Sequence, residues 1–186
     1  LDENGGNVIL DLHPGFPVDR RVMLTRCRGW IVCRGYSQEI NRDSLTSFRV
    51  EGPRHTSWRL LMPSGMGKRV PLEIRLAMVE NRNAVTLTFQ RHGSDPRSGS
   101  LNDREPVRII LRPDVEDRVN HETTKAFTGP ETLWRQAITK LQNGFRFGPS
   151  PDHRLEMTAD RGSFTVEPEW QYTVPHPFEA DRGLDS

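Results

Sequence analysis

Apolar and polar residues alternate with a period of two along most of this chain. Val70, Leu72, Ile74, Leu76 and Met78 are apolar, with Pro71, Glu73 and Arg75 between them. That pattern predicts a half-buried strand, and Pro71, which has no N–H to give a ladder, puts its start at an edge or a bulge. Glu80-Asn81-Arg82-Asn83 then reads as a turn, after which Val85, Leu87 and Phe89 alternate with Thr86, Thr88 and Gln90. The two segments are expected to form a hairpin. Trp58, Leu60 and Met62 mark a further strand ahead of a turn at 63–67, and shorter apolar segments at 31–33, 48–50, 107–111, 155–157, 164–166 and 170–174 add others.

Strand signals thus recur roughly every ten to fifteen residues with turn residues between them, a spacing that suits a sandwich or a barrel. No βαβ alternation is visible, which argues against a nucleotide-binding α/β fold. The stretch 91–105 is a polar loop and not a boundary, because strands of the same character resume at Val107. One segment departs from the two-residue period. Within 130–141, Leu133, Trp134, Ala137, Ile138 and Leu141 fall on one helical stripe, with Pro130 suited to a first turn and Asn143-Gly144 to a stop. The expected fold is all-β: an antiparallel two-sheet β-sandwich with one short helix at about 130–142.

Composition narrows the partners. The 186 residues suit one domain, with 34% hydrophobic and 27% charged residues, polar for a globular chain but not disordered. A net charge of +1 comes from arginines interleaved with acids along the whole length, so no basic stripe for nucleic acid stands out. No apolar run reaches the length of a membrane span. Cys27 and Cys33 are the only cysteines; on one extended strand they would lie roughly 20 Å apart, too far for a disulfide. Two reduced thiols fit a cytoplasmic protein, and two sulfurs alone make a poor zinc site. The chain opens on Leu1 and ends just after Arg182-Gly183-Leu184-Asp185, which reads as a single domain, 1–186, cut from a longer protein.

Candidate chemistry is sparse. The segment 63–68 invites a phosphate-loop reading, but Met62 stands where the first Gly should be, Arg69 replaces the Ser or Thr, and a strand follows where a helix is needed. Glu167 and Glu169 could approximate the spacing of a glycosidase pair, although two solvated acids about Pro168 are the commoner arrangement. The six histidines show no metal-ligand spacing. No metal, no cofactor and no catalytic residue are expected. Trp134, Trp170 and Tyr172 are candidates for stacking on sugar rings, against a more ordinary role in the core.

Two spaced patterns go further. Leu111-Arg112-Pro113, Arg118 and His121 form one; Trp170, Glu179 and Arg182-Gly183-Leu184-Asp185 form the other. In order and spacing they resemble the N-terminal domain of bacterial and archaeal glycogen debranching enzymes of the amylo-α-1,6-glucosidase type. Leu45-Thr46-Ser47-Phe48, Trp58-Arg59 and the twin strands at 70–79 and 83–89 are similar to that family too, so the likeness covers about 45–186. The sequence departs from the family in lacking a Gly-Gly-Tyr-rich segment near its start, and it has Val174 and His176 where aromatics are usual.

The resemblance implies a sandwich that precedes an (α/α)6 barrel, the barrel holding the acidic pair that hydrolyses α-1,6-glucosidic branch stubs. The expected partners are that catalytic barrel of the same polypeptide and, in second place, α-glucan; nucleic acid and membranes are not expected. No catalytic residue of these glycoside hydrolases maps onto this chain. The motif residues Arg112, Arg118, His121, Glu179, Arg182 and Asp185 have no assigned role: the arginines could meet the barrel or a glucan, or anchor a loop. An independent α-glucan-binding module and a protein-interaction sandwich are the alternatives, and the first requires exposed, coplanar aromatic rings.

Overall fold

The computed structural model describes residues 9–12, 20–94, 99–119, 122–125, 127, 129–172 and 174. The alternating segments become strands β1 (Ile9–Leu12), β2 (Arg20–Cys33), β3 (Tyr36–Glu39), β4 (Leu45–Val50), β5 (His55–Pro63), β6 (Arg69–Met78), β7 (Val85–Arg91) and β8 (Arg108–Val119). They are followed by helix α1 (Pro130–Gln136) and strands β9 (Ile138–Leu141), β10 (Gly144–Phe147) and β11 (Leu155–Thr158). Three sheets result: β1-β2-β3 with β8 also on β2, β4-β5-β6-β7, and β11-β10-β9. The chain is therefore all-β with one short α-helix among the described residues. Backbone packing divides it into two units, the first holding Ile9 and Arg26–Asp114, the second the described parts of Leu10–Thr25 and Val115–Ser186.

In the first unit the register pairs Leu60 with Leu72 and Met62 with Val70. One face of the β4–β7 sheet thus carries a continuous apolar row, which is buried against Ile31 and Cys33 of β2 and against Leu101. Trp58, Ile74, Phe89, Ile40, Val107 and Ile109 close around it. This is the sandwich core that the two-residue period demands, since each strand sends alternate side chains inward. The 63–68 segment is a hairpin turn in which the N–H of Ser64 donates to the Lys68 carbonyl at 2.9 Å. Pro71 lies in an inner strand, not at an outer edge. Its carbonyl accepts from the His92 N–H at 3.0 Å, just beyond the last β6–β7 pair, Leu72↔Arg91. Opposite His92, Pro71 accepts but has no N–H to return to the His92 carbonyl, so the proline costs the sheet one ladder bond, at the end of the β6–β7 pairing.

The opposite face of the same sheet is polar, and one carboxylate on it is covered. Glu73 is 3% exposed. It accepts from Arg75 Nε at 2.7 Å, contacts His92 Nε2 at 2.6 Å, and has Arg59 Nε at 3.6 Å. The Arg75 hydrogen bond, reinforced by those from His92 and the charge of Arg59, holds the Glu73 carboxyl well below its ordinary 4.5, at about 2. A carboxyl whose pKa falls on folding stabilises the fold above its unfolded value and stops doing so once protonated. Urea midpoints are accordingly expected to drop as pH falls from 4.5 toward about 2, and Glu73→Gln is expected to flatten that slope. Equal slopes for the two proteins would show that Glu73 does not carry it.

In the second unit Met23, Phe145 and Phe147 are buried, with Val115, Trp134, Ala137, Ile138, Leu155, Met157 and Phe164 packed around them. Gly144 pairs with Thr158, and a Cβ there would stand 2.0 Å from the Met157 carbonyl oxygen. Only glycine lets these two strands approach. The helix is shorter than its apolar stripe suggests: it ends at Gln136, and Ile138–Leu141 forms β9. Ile138 and Thr139 are β-branched and pair with Phe147 and Arg146, so cross-strand packing outweighs a continued helix. Leu133, assigned to the buried stripe, is 62% exposed. Segment 164–166 and the described residues of 170–174 are irregular and not strands. Phe164 nonetheless stacks on Phe145 with ring centroids 5.0 Å apart; Pro168, without an N–H, sits between the two segments and interrupts any ladder.

Candidate functional site

Three aromatic residues that the sequence singled out come together in the second unit. Trp134 projects from α1, which starts with Pro130 in its first turn and is anchored by the Leu133 N–H on the Gly129 carbonyl at 2.9 Å. One edge of Trp134 meets Phe147 in the core, with centroids 5.7 Å apart and an 83° angle. Its other side meets Trp170 at 5.7 Å and 42°, and Trp170 meets Tyr172 at 6.4 Å and 61°. Exposure rises outward along this chain of rings, from fully buried Phe147 through the half-buried tryptophans to Tyr172 at 62%. The Tyr172 hydroxyl donates to the Glu131 carboxylate on α1, and that bond, with some desolvation, raises its pKa. Arg135 NH2 donates to the Pro168 carbonyl at 3.4 Å and holds the 167–169 segment on the helix.

The rings are tilted, not coplanar, and only Tyr172 is open to solvent. Such an array fastens an irregular segment to the core and presents one phenol beside one carboxylate. A flat platform for several sugar rings would need parallel exposed faces. Glu167 and Glu169 are both exposed and flank Pro168.

The arginine motif is built differently. Arg118 and Glu116, side chains 9% and 14% exposed, pair through Arg118 Nε at 2.8 Å. Arg118 also donates from NH1 to the Glu122 carbonyl at 2.9 Å, while Thr124 Oγ1 donates to Glu116 at 2.8 Å. Together they tie the chain after β8 back onto that strand. Arg112 is half-buried and engaged. His121, Glu179, Arg182 and Asp185 lie outside the described residues.

Other polar clusters left no trace in the sequence pattern. Asp117 accepts from Arg21 Nε at 2.6 Å and contacts His153 Nδ1 at 3.1 Å, partners that are 96 and 36 residues away. In the first unit Asp114 binds both Arg26 and Arg28. Burial, with the charge of Asp114 behind it, pushes the Cys27 thiol up to about 11, so this cysteine stays protonated and inert at neutral pH. Both cysteines are free, as expected for residues six apart along one extended strand. Among the described residues no group of three or more His, Cys, Asp or Glu side chains could hold a metal ion, and no helix is long and apolar enough to cross a membrane.

An all-β chain whose first unit buries a core between two sheets and carries a polar outer face is of the β-sandwich class. The family described as "glycogen debranching enzyme N terminal" matches residues 5–186, and the chain belongs to that family. No curated protein and no solved structure matches it.

Proposed function

We propose that this chain is the non-catalytic N-terminal domain of a glycogen-debranching-like α-1,6-glucosidase, packing on the catalytic barrel and helping to shape its α-glucan cleft. The observation that carries this reading is the family match over 5–186. The chemistry of the described residues agrees with it. Four of the acids that are drawn together with partners, Glu73, Asp114, Glu116 and Asp117, are each held by arginine, and a carboxylate so neutralised is a poor general acid or nucleophile. Glu167 and Glu169 are exposed and flank Pro168. Hydrolysis in such an enzyme belongs to the barrel, and this domain contributes shape and contact surface.

Isothermal titration of the chain with maltoheptaose and with a branched limit dextrin tests the reading. No saturable heat at millimolar sugar, and no glucose release, are expected. Saturable binding that disappears in Tyr172→Ala with an unchanged circular dichroism spectrum would replace it with an independent α-glucan-binding module, because Tyr172 is the one well-exposed ring of the cluster.

A further inference from the structure

The outer, polar face of the β4–β7 sheet gathers three arginines around one buried serine. The register sets Arg49 of β4 and Arg75 of β6 on either side of Ser57 of β5, and sets Arg59 of β5 opposite Glu73. All five share one face, because residues paired across strands, and residues two apart on a strand, point the same way. Direct neighbours on such a face lie about 5 Å apart and diagonal ones about 7–8 Å, distances that arginine side chains span. Ser57 is 6% exposed. Arg49 is exposed, and the side chains of Arg59 and Arg75 are about half so.

Two of the arginines are also oriented. Arg75 donates from Nε to Glu73 at 2.7 Å, and Arg59 approaches the same carboxylate through Nε at 3.6 Å. A guanidinium is a rigid plane, so an Nε turned toward one acceptor directs the end-on pair of NH2 groups elsewhere. With half of each side chain in solvent, those ends reach the surface of the sheet. The opposing charges are those of Glu73, buried and shared with Arg75, Arg59 and His92, and of Glu51, which acts on Arg75. Three arginines outweigh two acids, and the cluster is positive at its surface.

We propose that this face binds a phosphate group over Ser57, held by Arg49, Arg59 and Arg75. Charge selects an anion. The number of donors selects phosphate over a lone carboxylate, which one bidentate guanidinium fills, whereas the oxygens of a phosphate accept from several guanidiniums at once. The Ser57 hydroxyl is a further donor beneath them. A site on an open face in water is screened by salt, and its affinity is expected to be about millimolar.

Amide nuclear magnetic resonance shifts, followed through titrations with inorganic phosphate, methyl phosphate and acetate at constant ionic strength, test this. Saturable shifts around Ser57 are expected with inorganic phosphate and not with acetate. Methyl phosphate that binds as tightly makes the ligand a phosphate ester, and methyl phosphate that does not bind makes it the free ion; either result supports the site. Arg49→Gln and Arg75→Gln are each expected to weaken binding about tenfold, the worth of one charge-assisted hydrogen bond. Arg75→Lys is expected to weaken it nearly as much, because lysine keeps the charge and loses the fork. Arg82→Gln, an equal change of charge in the β6–β7 turn, is expected to bind like the wild type. Circular dichroism establishes that the variants are folded, and Arg49→Gln leaves Glu73 its contacts with Arg75 and His92. The proposal is overturned by phosphate that does not saturate at about 20 mM, well above the expected dissociation constant. It is overturned equally by acetate that binds as tightly, by Arg75→Lys that binds like the wild type, or by Arg82→Gln that weakens binding as much as Arg49→Gln.

Discussion

Phe147→Ala is expected to destabilise the protein by about 3–5 kcal/mol, the range for removing a fully buried aromatic ring. Phe147 is 0% exposed and lies in the core of the second unit with Met23 and Phe145. Its ring also receives the edge of Trp134, so the cavity would open beneath the helix that carries Trp134 and Glu131. At roughly 2–4 °C per kcal/mol for a chain of this size, the melting temperature is expected to fall by about 10 °C. Because Trp134 supports Trp170, and Trp170 supports Tyr172, the aromatic array should loosen with the core. Thermal denaturation and the Trp fluorescence spectrum read the two effects separately. A melting temperature within 2–3 °C of wild type would mean that the site collapses around the missing ring.

Arg118→Ala is expected to cost about 3 kcal/mol, the low end for breaking a buried ion pair by removing one partner. The loss exceeds that of one hydrogen bond because Glu116 would keep its charge at 14% exposure with only Thr124 Oγ1 among the named donors, and the Glu122 carbonyl would lose its guanidinium. Arg118→Lys keeps the charge but not the planar fork that reaches Glu116 and the carbonyl together, and is expected to recover only part of the loss. Urea denaturation of Arg118→Ala, Glu116→Gln and the double variant gives the coupling, with Arg118→Lys measured beside them. A residue needed only for contact with another domain would leave the stability of this chain unchanged, so a null effect would move Arg118 from loop anchor to contact surface.

How much of this was legible without coordinates depends on where each partner lies in the chain. The β6–β7 hairpin was readable because its period of two and its polar turn are local features, and Leu72, Ile74, Val85 and Leu87 sit on the face that the alternation assigns. The separation of Cys27 and Cys33 was readable for the same reason. Helix α1 was half-readable. Pro130 marks its start, but an apolar run of Trp134, Ala137, Ile138 and Leu141 satisfies a helix and a turn-plus-strand equally, and only the pairing of Ile138 with Phe147 separates them. The strands expected at 164–166 and 170–174 failed because alternation states which face a residue prefers, not whether a neighbouring strand exists to bond it.

The sequence by itself therefore determined the all-β class, the inward residues of each long strand and, through its spaced motifs, the family. These depend on side-chain polarity and on short-range geometry, which the chain states directly. Tertiary structure decided the rest. It brought Glu131 to Tyr172, Asp117 to Arg21 and His153, and Glu73 to its arginines and His92. It also tilted the three rings that a platform would require to lie flat. Hydrogen bonds and ring contacts between residues tens of positions apart are set by sheet register and by which layer covers which, and neither quantity is written in any local pattern of residues.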